Sequence, residues 1–344
     1  MMTFTAPVAD ADAGTDTDAD PPVALPGWHR NRWLRFGVRR AVRLVVALWV
    51  LLTAAFLMIH LIPGDPVRAA LGMTASPELV AARRDALGLN DPLWEQYLRF
   101  LGGVLTGDFG TSTISGLPVS QTIGERLPNT VQLALLAFGA ALVVAIPVGV
   151  AMAALTRGGR RRGGELAFTS VSVLFAVIPE FLLAVVLAWV FAVQLGWFPV
   201  AGRGGPSSYV LPVLALSVGP ASVLARLCRV EMLAVLGNDY VRTARAKRLP
   251  ARLVYLRHAL PNALTATLTL GGLLLSALVA GTVLVENVFA WPGLGSTIVQ
   301  SILQKDYPVV QTVVLVYGLG VLAVNLGVDV LLAVLDPRST IREG

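Results

Sequence analysis

The sequence predicts an all-α, polytopic membrane protein with about six transmembrane helices. Its composition is the first reason: 344 residues, 55% hydrophobic and 14% charged, with a mean hydropathy of +0.71, lie outside the range of an ordinary soluble domain. Spacing is the second. Apolar stretches recur near 42–62, 130–155, 166–195, 209–230, 262–285 and 308–335, and roughly 20 apolar residues are what a helix needs to cross a bilayer. Charge is the third. With six spans both ends share a side, and that side collects 20 of the 27 Lys and Arg residues, so the positive-inside rule puts both termini in the cytoplasm.

Residues 1–30, with Asp10, Asp12, Asp16, Asp18 and Asp20 among Ala, Pro and Thr, read as a disordered cytoplasmic tail with too little apolar surface to fold. The missing basic start argues against a signal peptide. Residues 31–62 then combine a basic run, from Arg32 to Arg43, with the first span. Residues 63–129 form a large first external loop, punctuated by Pro63-Gly64-Asp65-Pro66 and by a helical stretch near Pro77–Leu87. Within it Trp94, Tyr97, Leu98, Phe100, Leu101 and Leu105 suit a helix lying on the membrane surface. The loop ends with Pro118 to Thr130, ahead of the second span.

Residues 130–338 form a five-helix core, and 339–344 a short cytoplasmic tail. The 130–155 span is uncharged and contains Pro147, which membrane helices tolerate. A basic loop, 156–164, leads to a span interrupted by Ile178-Pro179-Glu180. Pro212, Gly219 and Pro220 make 209–230 the least regular span. Residues 285–311 carry Glu286, Phe289, Trp291, Pro292, Gly293 and Gly295, a pattern for a tight turn re-entering protein at membrane depth.

Several chemistries are excluded or left unsupported. Cys228 is the lone cysteine, and His29, His60 and His258 lack metal-ligand spacing. Neither Lys247 nor Lys305 is followed by Ser or Thr, so no phosphate-binding loop exists. A net charge of +6 and a pI near 10.0 would suit nucleic acid, but the basic residues punctuate apolar segments and instead orient the chain in a bilayer.

Between the fourth and fifth spans lies the most charged element, Asp239 to Pro261, with Arg242, Arg245, Lys247, Arg248, Arg252 and Arg257. Pro250 splits it into two helices, of which Pro261 is expected to end the second. A solvated loop that only fixes topology is the plainer reading. The run Arg242-Thr243-Ala244-Arg245-Ala246-Lys247-Arg248-Leu249-Pro250, followed by Leu256-Arg257-His258-Ala259-Leu260-Pro261, resembles the coupling loop of ABC-importer permeases, in the form of the dipeptide/oligopeptide/nickel permease family. Arg242, Thr243 and Ala244 stand where the general motif has Glu-Ala-Ala, and the motif's glycine falls on Arg248. The first external loop, the Glu286 to Gly295 pattern with Lys305-Asp306-Tyr307-Pro308, and Leu335-Asp336-Pro337-Arg338 resemble the same family, so the likeness covers about residues 40–338.

The resemblance implies a permease subunit whose Tyr240, Arg242, Thr243, Ala244, Arg245, Ala246, Lys247, Arg248 and Leu249 form an ATPase-coupling loop on cytoplasmic coupling helices. It implies a second homologous permease, most often in a heterodimer, two cytoplasmic ATPase subunits that bind ATP and Mg, and an extracytoplasmic substrate-binding protein. The chain itself would carry no cofactor. Peptides are the expected cargo, with nickel or other small solutes as alternatives. An ion-coupled secondary transporter would need coupling acids in broken helices, and Glu180 is one candidate. Glu180, Glu286 and Phe289 are candidates for the translocation path, because ionisable residues within spans are costly and often functional. Asp329 and His60 are weighed as structural, and for Glu180 a paired or kink-side role is the alternative.

Overall fold

A computed structural model describes residues 30–61, 66–72, 75–86, 88–159 and 161–335. The expectations for the tail 1–29, for Pro63 to Asp65 and for residues 336–344 lie outside the described residues. Thirteen α-helices follow one another among them: α1 Arg30–Leu61, α2 Pro66–Leu71, α3 Pro77–Ala86, α4 Leu93–Thr106, α5 Val119–Thr156, α6 Arg162–Val177, α7 Glu180–Leu187, α8 Val210–Val235, α9 Asp239–Ala246, α10 Ala251–Leu253, α11 Leu260–Val288, α12 Leu294–Leu303 and α13 Tyr307–Leu335. The only β feature described is an isolated bridge between Thr111 and Pro118.

Five helical stretches are long and apolar enough to cross a membrane, and the pair Arg162–Val177 and Glu180–Gln194 (α6, and α7 with the π-helical stretch that continues it), bent by 95°, is the sixth. That pair crosses the bundle rather than folding back. Glu165, in its first turn, meets Arg229 near the α9 end of α8, whereas Arg203, shortly after its last turn, bonds to Asn129 beside the start of α12. The break at Ile178-Pro179 has extended backbone at both residues, and Pro179 has no N–H to continue the helical ladder.

Packing of α5 against α8 forms the centre. Ala137, Ala141, Ala145, Gly149 and Ala153 recur every four residues on α5 and are all buried. They let the backbones approach closely: a Cβ at Gly149 would lie 2.7 Å from the Ala225 carbonyl oxygen and 2.7 Å from the Cys228 Cβ. Without a hydrophobic drive between helices in lipid, such small residues and the van der Waals contact they permit hold the pair. The segment around Pro212, Gly219 and Pro220, irregular in sequence, is therefore the innermost span. Its apolar stretch is 50% buried, against 11% for those of α1 and α13.

Three boundaries differ from the sequence reading. The second span begins at Val119, so α5 takes in Pro128 and all but Pro118 of the run assigned to the end of the external loop. Pro261 does not end a helix. It lies in the first turn of α11, and a π-helical turn, Val254–Ala259, joins α10 to it. The wider turn accommodates a residue that cannot donate a backbone hydrogen bond. Finally, α1 begins at Arg30, so the basic run shares one helix with the first span.

Candidate functional site

The basic element after α8 is anchored rather than loose. On α9, Val241 and Ala244 are buried among Ala153, Met232, Val235, Leu236, Val254, Ala259 and Ala263, with Leu249 packed alongside. The opposite side of α9 and its turn exposes Tyr240, Arg242, Thr243, Ala246, Lys247 and Arg248, while Arg245 is partly buried with one guanidinium nitrogen, Nη2, unpartnered. Asn262 donates to the Tyr240 hydroxyl at 3.0 Å, tying α9 to α11. The structure thus divides the predicted coupling residues into an anchoring side, Ala244 and Leu249, joined by Val241, which the prediction left out, and a basic side turned outward.

Arg248 occupies the position of the missing glycine. Its φ is +56°, the left-handed region that favours glycine. The Leu249 N–H donates to the Ala244 carbonyl at 3.3 Å and the Arg248 N–H to that of Arg245 at 2.8 Å. This pair of bonds is a Schellman cap, and Leu249 packs against the apolar cluster that includes Ala244, as the residue after such a cap usually does. The turn geometry is kept despite the arginine.

At the other end of the bundle, Glu286 is wholly buried. Its carboxylate accepts from Thr130 Oγ1 at 2.7 Å and from the N–H groups of Gly295 at 2.7 Å and Ser296 at 3.2 Å. Those amides are unpaired donors in the first turn of α12, where the helix dipole also favours negative charge. Glycine is required twice: a Cβ on Gly293 would enter the Glu286 carboxylate, and one on Gly295 would lie 2.5 Å from Val283 Cα. Trp291, also fully buried, donates to the Asn129 carbonyl at 3.3 Å, and Ser296 Oγ returns to the Trp291 carbonyl at 2.6 Å. Phe289, 2% exposed, accepts at its carbonyl from Gly202 N–H at 2.8 Å. Glu286 and Phe289, expected beside a translocation path, therefore present no side-chain surface to one here. Glu286 holds the start of α12, and Phe289 is tied through its carbonyl to Gly202 ahead of α8.

Asp329 forms an ion pair with Arg40 on α1. His60 Nδ1 lies 3.1 Å from the Phe56 carbonyl and Nε2 lies 3.3 Å from Gln96 Oε1 on α4, joining the two helices. Glu180 differs from these. Half-buried at the α6–α7 break, it lies against Gly281 of α11, where an added Cβ would collide with its carboxylate.

Three groupings escaped the sequence. Arg203 donates to the Tyr209 hydroxyl at 2.8 Å, Asn129 Oδ1 at 2.5 Å and Gln132 Oε1 at 3.1 Å. Asp306, 3% exposed, receives Ser112 Oγ at 2.5 Å and Thr113 N–H at 3.1 Å, pinning the segment before α5 to the α12–α13 junction. Arg229, 7% exposed, reaches Glu165 at 2.7 Å and Thr156 Oγ1 at 3.0 Å. Each joins residues tens of positions apart, and no local pattern announces them.

Comparisons with known proteins agree with this architecture. Residues 145–341 match the family described as the binding-protein-dependent transport system inner membrane component, and residues 33–134 match that system's N-terminal membrane component. A glutathione transport system permease protein, GsiC, of Salmonella paratyphi A is 40% identical over 305 residues, covering 88% of this chain and 98% of its own. Its counterpart from Escherichia coli K12 is 36% identical over 304 residues, with the same coverage of both chains. The inward-facing methionine ABC transporter MetNI has the same fold at a TM-score of 0.54 and 20% identity, over 62% of this chain and 96% of that one. As a transport component, the chain works with ATPase and binding-protein partners, and ATP hydrolysis lies in the former. It belongs to the binding-protein-dependent transport system inner membrane components, as an ABC-importer permease of the dipeptide/oligopeptide permease family.

Proposed function

We propose that this chain forms one half of the translocation path of an ATP-driven importer of di- or oligopeptides, with peptide-like solutes of the kind named for the glutathione permeases as first candidates. The observation that carries the reading is α9, anchored by Val241 and Ala244 and presenting Arg242, Lys247 and Arg248 outward. An element fixed on one side and basic on the other can transmit the movement of an acidic partner surface to α8 and α11.

In this reading a second, homologous permease completes the path as a heterodimer. Two ATPase subunits binding ATP and Mg dock on the α9 side, and an extracytoplasmic binding protein delivers cargo at the α12 end. Both termini are cytoplasmic, and the lipid bilayer covers the apolar outer faces. Closure of the ATPases moves α9, and the spans alternate access between the two sides. Glu180, at the one broken span, contributes to the path. The test is a mild-detergent pull-down from the native membrane. Recovery of a second permease, ATPases and a binding protein carrying peptide is expected. Recovery of this chain alone, with transport intact after reconstitution, would overturn the reading.

A further inference from the structure

We propose that Glu180 is where the translocation path reads positive charge, taking the protonated amino group of a peptide as its ligand. The inference rests on the peptide-importer reading and deepens it by naming the group recognised.

The other acids within the spans named above are answered: Glu286 by Thr130, Gly295 and Ser296, and Asp329 by Arg40. Glu180 has neither a hydrogen-bond donor nor an ion pair among the described residues. A charged side chain facing hydrocarbon at the centre of a span is costly. That cost is avoided if the α7–α11 face opens onto water or polar cargo. The surrounding face is uncovered in the single chain: Phe181, Val185 and Val186 are exposed on α7, and Ala277, Ala280, Leu284 and Asn287 form an exposed stripe on α11. The stripe is narrow-sided at Ala277 and Ala280, next to Gly281, whose missing side chain makes room for the carboxylate.

The chemistry of the donor set selects the ligand. Among the described residues no three His, Cys, Asp or Glu side chains gather to hold a metal ion. One carboxylate, accepting hydrogen bonds on up to four lone pairs, suits an ammonium group, which brings its own three donors. No proton need be transferred, and the carboxylate only has to offer a charge-assisted hydrogen bond that cargo makes and then leaves.

The experiment uses the assembled transporter in liposomes, with saturating binding protein. Uptake of one tripeptide with a free amino terminus is compared with uptake of its N-acetylated form. In wild type the free form is expected to be favoured, and Glu180→Gln is expected to cut the free-to-acetylated ratio at least tenfold, with Glu180→Asp retaining it. Comparing ratios between variants cancels the binding protein's own preference. In parallel, Glu180→Cys is treated with small hydrophilic thiol reagents. Cys228 is fully buried, and the unsubstituted chain serves as the unlabelled control. An anionic adduct should restore the ratio and a neutral one should not, which also covers a Gln variant that fails to assemble. No labelling of Cys at position 180 would sink the placement of Glu180 in the path. Labelling with an unchanged ratio in every variant would sink charge reading alone and leave the path placement standing.

Discussion

Arg248 shows how far a single residue can depart from a pattern while its backbone obeys it. The cap requires a left-handed residue after α9, and two backbone hydrogen bonds with a leucine contact hold it there. Left-handed conformation costs a side-chain-bearing residue about 1 kcal/mol or more. Arg248→Gly is therefore expected to raise the thermal midpoint of the purified complex, by about 1 kcal/mol of stability, without loss of transport; a lowered midpoint would show that the arginine side chain holds the turn. Glu286 is the opposite case, a buried carboxyl group with three donors aimed at it. Glu286→Ala strands the first-turn amides of α12 and Thr130, and a buried group left unpaired costs roughly 1–3 kcal/mol. A loss of about 3 kcal/mol is expected in denaturant unfolding of the solubilised protein. The motif around Glu286 was legible in the sequence, but its burial was not, because local spacing cannot say which helix start the carboxylate will reach.

At the scale of elements, α9 is informative because its two sides have different tasks. Ala244 faces inward, 6% exposed, against the ends of α5, α8 and α11. Ala244→Glu would force a carboxylate into that apolar cluster and lift α9 from its seat. The assembled importer should insert normally, yet lose the stimulation of ATP hydrolysis by loaded binding protein. Stimulation equal to wild type would show that α9 does not carry the coupling. The sequence located this helix by its charge and by Pro250. It misplaced the next boundary, since Pro261 was read as a stop. A π-turn upstream lets the helix run through, and a proline alone does not say whether it ends a helix or is accommodated by such a turn.

For the whole molecule, the six crossings place the α9 turn and the 108–117 segment at opposite ends of the bundle. If both termini are cytoplasmic, tags at either end should be cut only by protease admitted to the inner face. A cysteine placed at Ser115, an exposed position of that segment, should be labelled only from outside. Labelling of Ser115→Cys from within would invert the topology. The sequence by itself determined the spans, the break at Pro179 and the basic element between the fourth and fifth spans, because hydropathy, chain length and charge act locally and are countable. Only the tertiary structure decided which span lies innermost, which acids are satisfied and which one is left open. Those outcomes depend on close approach of distant backbones, as at Gly149 and Ala225, and on donors supplied from far along the chain, as Thr130 is to Glu286 and Arg40 to Asp329.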